Sequence, residues 1–169
     1  DYDNSDKVTQ MFFAEAQNKI LFAITGKTAA EIVTGRANEN SPNMALTSWK
    51  GKLVRKQDIY IAKNYLTADE IDSLNRFVMV FLETAELRAK NRQDITMDFW
   101  RENIDRIIEF NDKRLLHHKG SVSKEQMEER VEDIYQKFDA NRKKAEAWLA
   151  DEQDLEELEQ LEKQIKSKE

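Results

Sequence analysis

The stretch TADEIDSLNRFVMVFLETAELRAKNR, residues 67–92, decides the fold class. Ile71, Leu74, Phe77, Val78, Phe81, Leu82 and Ala85 recur at the three- and four-residue steps that gather side chains on one side of an α-helix. Thr67, followed by Asp69 and Glu70, supplies an N-cap and acids suited to the positive end of the helix dipole. Met79 and Val80 widen the apolar stripe almost to the full circumference, which predicts a central, buried helix.

The flanks repeat the helical pattern. Downstream, Thr96 caps a fourth helix whose Met97, Trp100, Ile104, Ile107, Ile108 and Leu115 keep helical spacing, with an end expected near His117, His118 and Gly120. Ser123 and Gln126 form the reciprocal cap of a fifth. In that helix Met127, Val131, Ile134, Phe138, Ala145 and Trp148 follow alternating steps of four and three, with Asn141 filling the missing position, a heptad seam expected to pack on the third and fourth helices. Beyond it Leu155, Leu158, Leu161 and Ile165 stand amid dense Glu, which predicts a projecting end. Upstream, Phe12, Phe13, Ala16, Ile20 and Ala23 place a first helix over residues 6–25, stopped by Gly26. Thr28 and Glu31 have the form of a capping box and open a short second helix over 28–37.

Residues 38–52 hold the single Pro and show neither period, so they form the one long loop. Its Trp49 and apolar residues favour an ordered, packed excursion, with a short helix resuming over 56–64. The expectation is an all-α bundle of about five helices with one long ordered loop and a long C-terminal helix. Residues 1–122 are read as a helical core carrying a basic loop at 38–57, and 123–169 as a long amphipathic helix with a projecting acidic end.

Composition narrows the function classes. The chain has 169 residues, 4 Gly, 1 Pro and no Cys, which argues against a turn-rich sandwich or barrel and excludes disulfides and thiolate metal sites. The longest apolar run, 77–82, is far short of a bilayer span, and no basic, then apolar, leader opens the chain. No membrane association is expected, and the cytoplasm is the default compartment. A start at Asp1 without Met reads as a fragment of a longer protein. The formal charge of −6 is uneven: −2 over 1–25, +4 over 26–65, −2 over 66–122 and −6 over 123–169. The only basic stretch is therefore the least regular one.

No catalytic constellation stands out. Gly26-Lys27-Thr28 lacks the upstream glycine of a phosphate loop, Leu21 standing there within a helix. His117 and His118 are adjacent at a helix end without metal-ligand spacing, and Glu128, Glu129, Glu132 and Asp133 read as a solvated face. Ser48 lacks a base and a nucleophile elbow. No catalytic residue, metal or cofactor is predicted. The candidate ligand-binding set is Asn43, Trp49, Lys50, Arg55, Lys56 and Lys63, with Lys52 and Tyr60 nearby: cations that attract phosphates, interleaved with aromatics able to stack on bases. Trp49 either anchors the loop or stacks, and Asn43 holds a turn. A rival reading is a homo-oligomer assembled through Met127, Val131, Ile134, Phe138 and Trp148. An enzyme becomes a serious third reading if Asn18, Lys19, Glu31, Lys63 and Asn75 converge in one enclosed pocket.

Several strings are distinctive: Thr25-Gly26-Lys27-Thr28-Ala29-Ala30-Glu31-Ile32, then Pro42-Asn43-Met44-Ala45-Leu46-Thr47-Ser48-Trp49-Lys50-Gly51, then Val54-Arg55-Lys56 and Ile61-Ala62-Lys63-Asn64-Tyr65-Leu66. With Asp1-Tyr2-Asp3, Phe12-Phe13, Leu74-Asn75-Arg76 and Phe110-Asn111, they make the chain resemble the RhuM family of bacterial virulence-associated proteins up to about Lys119. The resemblance implies a two-part parent protein, with an N-terminal region similar to phage-type DNA-binding domains preceding a helical part like this one. It implies no established catalytic activity. Relatives sometimes carry a Fic or cell-filamentation label, but neither His117 nor His118 is followed by the Phe and downstream residues of the Fic signature. The expected function is a non-enzymatic binding or regulatory domain that contacts nucleic acid or a protein through the basic loop.

Overall fold

All regular structure in the computed structural model, which describes residues 7–166, is helical. Five α-helices follow in order: α1 (Lys7–Thr25), α2 (Ala29–Arg36), α3 (Ala68–Lys90), α4 (Met97–Phe110) and α5 (Lys124–Lys166). The connection from α2 to α3 carries a left-handed turn at Pro42–Ala45 and two 3₁₀ turns, Asp58–Tyr60 and Ala62–Tyr65. Residues 1–6, with the predicted helix start and the Asp1-Tyr2-Asp3 string, lie outside the described residues.

The predicted caps tie helices together as well as starting them. Thr28 Oγ1 accepts from the Glu31 N–H, and Glu31 Oε2 accepts from the Thr28 N–H at 2.8 Å. Thr67 and Glu70 repeat this arrangement at the start of α3. The second oxygen of Glu31 accepts from both the N–H and the hydroxyl of Ser121 at 2.7 Å, joining α2 to the segment that leads into α5. Glu70 accepts two 2.6 Å bonds from the Arg36 guanidinium, which also donates to the Tyr65 carbonyl, so the end of α2 is clamped to the start of α3.

Burial opposes ionisation of Glu31, but hydrogen bonds from Ser121 and Thr28 outweigh it and hold its carboxyl at about 2. The Arg36 guanidinium, aided by the Thr67 N–H and opposed by burial, brings Glu70 to about 2 as well. Both folded values lie below the ordinary 4.5, so their contribution is present above about pH 4.5 and is lost as pH falls towards 2. The thermal midpoint is expected to be level from neutrality to about pH 5 and to drop below it. A Glu31→Gln, Glu70→Gln double variant should start lower and fall less; an equal fall in both proteins would assign the acid sensitivity elsewhere.

Two cores form. The first gathers Leu21 of α1, Ile32 and Val33 of α2, Met127 and Val131 of α5, and the connection residues Met44, Leu46, Val54, Ile59, Ala62, Tyr65 and Leu66. The second joins Ala23 of α1 to Phe77 of α3 and to Ile104 and Ile108 of α4. Leu21 and Ala23 stand about 200° apart around α1, so that helix serves both cores.

Four expectations need correction. α3 is not a helix buried all round: Phe77 is its only buried residue, while Met79 is 61 % and Leu82 64 % exposed. Its apolar residues exceed what α1 and α4 cover. α4 stops at Phe110 rather than near Gly120, because the Asn111 side chain bonds back to the Ile107 carbonyl and Asp112 turns left-handed at φ 55°. Residues 56–64 form two 3₁₀ turns instead of a helix, locked by Asn64 Nδ2 donating to the Asp58 carbonyl and Tyr65 OH donating to the Ile59 carbonyl, both at 2.9 Å. Finally, α5 packs chiefly on α2 and the 58–60 turn, not on α3 and α4.

Candidate functional site

The chain between α2 and α3 is held along its length by its own buried side chains. Asn43, Met44 and Ala45 follow one another in the left-handed region at φ 52°, 58° and 65°. For L-residues this costs roughly 1–2 kcal/mol each. The turn persists because it drives Met44 fully into the first core, and because the Leu46 N–H bonds to the Asn43 carbonyl at 3.0 Å. Asn tolerates this conformation better than most residues, which suits Asn43 to the first of the three positions.

A second clamp follows. Thr47 and Ser48 donate their N–H groups to the Asn64 carbonyl at 2.7 and 3.3 Å, and Thr47 Oγ1 donates to the Leu66 carbonyl at 2.6 Å. This junction sets Lys63 one residue, and Lys50 two residues, from the same backbone crossing. Trp49 is half-buried against the first core, its indole nitrogen buried without a hydrogen-bond acceptor among the described residues. Its indole therefore packs as an anchor of the loop, and the stacking alternative has no support from its position.

The cations of the basic loop divide into two groups. Arg55 is held to the buried carboxylate of Asp58, which accepts from the Arg55 N–H at 2.9 Å and lies 3.4 Å from its guanidinium Nε. Lys56 donates to Glu132 of α5, and that bond, opposed by desolvation, raises the pKa of its ammonium. Lys50, Lys52 and Lys63 are exposed and make no ion pair among the described residues. Asn43 is exposed as well. Arg55, Lys56, Gln57 and Tyr60 line a shallow surface groove.

The five polar residues of the enzymatic reading do not share one pocket. Asn18 Oδ1 accepts from the Ala29 N–H, Lys19 is bridged to Asp105 at 2.9 Å, and Glu31 is committed to Thr28 and Ser121. Lys63 and Asn75 are exposed elsewhere. Among the described residues no group of His, Cys, Asp and Glu could hold a metal, and no helix is long and apolar enough to cross a membrane.

Sequence reasoning missed Glu132 and Asp58 as the partners of Lys56 and Arg55. The Arg55-to-Asp58 step of three offered a signal, but Glu132 is 76 residues from Lys56 and offered none. It also missed an apolar groove of about 390 Å³ between α1, α3 and α4, lined by Phe12, Phe13, Ile20, Val78, Phe81 and Trp100. Periodicity cannot tell a groove wall from a core face. Of the seam residues, Met127 and Val131 are buried in the chain's own core and Ile134 and Phe138 pack against it, leaving Trp148 63 % exposed.

The family model for the Virulence protein RhuM family matches residues 1–146 of the 169. The match runs past the predicted limit near Lys119 and ends close to the point where α5 leaves the first core. No curated protein and no solved structure matches the chain significantly. A family model that covers the helical body and its basic loop together places the chain plainly: it belongs to the Virulence protein RhuM family.

Proposed function

We propose that this virulence-family chain is a non-enzymatic binding module working in the cytoplasm, whose pinned basic loop contacts the phosphate backbone of nucleic acid. The observation that carries the reading is the contrast within one loop. Met44, Leu46, Val54 and Ile59 are buried and hold it in place, while Lys50, Lys52 and Lys63 stand exposed and unpaired among the described residues. A preformed loop loses little entropy on binding, and ammonium groups without a local carboxylate release counterions when they meet phosphate. The overall charge of −6 restricts such contact to this face.

Binding to single- and double-stranded DNA across a salt series tests it. A Lys50→Ala, Lys52→Ala, Lys63→Ala variant should flatten the plot of log affinity against log salt by about 2 to 3. An Arg55→Ala, Lys56→Ala variant should change it less, since both cations already have carboxylate partners. No binding, or a slope the triple variant leaves unaltered, removes nucleic acid as the partner.

A further inference from the structure

α5 is 43 residues long, roughly 65 Å, and only its first part is packed. Every residue of 143–160 is exposed, including Trp148, Leu149, Leu155 and Leu158. Most helical stability in proteins comes from packing an apolar face, and the projecting half of α5 leaves its Trp and Leu side chains in water. The side chains of Leu161 and Ile165 lie outside the described residues.

We propose that the projecting half of α5 pairs antiparallel with the same segment of a second copy of this chain, about a two-fold axis between Asp151 and Glu152. Two features of the segment argue for this partner and direction. The stripe Ala145, Trp148, Leu155, Leu158 reads with the same spacing from either end, so a two-fold axis at its centre sets Trp148 across from Leu155 and Ala145 across from Leu158. Charge is also segregated: Arg142, Lys143 and Lys144 begin the segment, and acids dominate 151–159. Antiparallel pairing places Lys144 opposite Glu159 of the second copy, whereas parallel pairing sets like charge against like along the whole length. Arg142 and Lys143 already pair with Asp139 on their own helix, but Lys144 makes no ion pair among the described residues. The cost of the arrangement is local: Asp151 and Glu152 of both copies meet at the axis and limit the affinity.

The experiment uses the full chain, which has no cysteine of its own. Sedimentation across a concentration series to ~100 µM should show a monomer–dimer equilibrium. Leu155→Glu with Leu158→Glu should weaken association by roughly tenfold or more with the thermal midpoint of the body unchanged, since neither residue touches the cores. Asp151→Asn with Glu152→Gln should tighten it. A Lys144→Cys chain mixed with a Glu159→Cys chain should oxidise to a mixed disulfide dimer, while neither links to itself. A monomer throughout, a dimer indifferent to the leucine changes or not tightened by the axis changes, or self-linking of Lys144→Cys each overturns the proposal; a monomer leaves the stripe to a partner of different sequence.

Discussion

Met44→Ala is expected to lower the stability of the whole domain by about 2–5 kcal/mol, a range typical of truncating a fully buried long apolar side chain. Met44 is fully enclosed in the first core although it belongs to a loop, and its two neighbours share its left-handed backbone. Removing the side chain takes away the contacts that make this conformation worthwhile while leaving its cost, so the upper half of the range is the expected result. Urea unfolding followed by circular dichroism gives the size. Heteronuclear spectra of the surviving folded fraction should show the largest changes over 38–57. A loss under about 1 kcal/mol would mean that the loop is not held through Met44. The variant would also weaken any nucleic-acid affinity without touching a cation, because the lysines would no longer be held in one arrangement.

The second large effect is expected at Gly120. Its φ of +85° lies where a side chain is strained, and a Cβ there would stand 2.9 Å from both Cγ2 and Oγ1 of Thr28. Thr28 is almost fully buried and committed to capping α2, so it cannot step aside cheaply. Gly120→Ala therefore combines a backbone cost of about 1 kcal/mol with a clash against the capping box, about 2–4 kcal/mol in all. Gly51→Ala is the control: its φ is +96° with nothing near the added carbon, and about 1 kcal/mol is expected. Equal losses at the two glycines would show that the approach to Thr28 is relaxed in solution. The Gly120 variant should also loosen the bond from Ser121 to Glu31 and raise the pH at which acid unfolding begins.

How much of this was legible beforehand depends on whether the deciding contact was local. The capping box at Thr28 and the caps at Thr67, Thr96 and Ser123 each lie within four residues and are formed as read, and at Thr67 the acid Glu70 goes further and closes a capping box of its own. The family strings likewise needed only order. What failed involved neighbours in space. The stripe of α3 looked like that of a central helix because apolar content predicts what wants burial, not what covers it, and α1 and α4 leave Met79 and Leu82 in solvent. The seam of α5 was rightly read as apolar, yet its partners are α2 and the loop, which no helical period announces. In the basic loop, the cations and their aromatic neighbours were visible in the sequence. The division between paired and unpaired lysines was not, because it rests on Glu132 arriving from the far end of the chain.

The sharing of α1 between two cores, through Leu21 on one side and Ala23 on the other, has a kinetic consequence. The half built on α3 and α4 can open while the half built on α2, the loop and α5 stays closed, so amide protons of α4 should exchange with solvent sooner than those of α2. Proteases would then cut first around 91–96, releasing a nicked molecule that still displays its lysines.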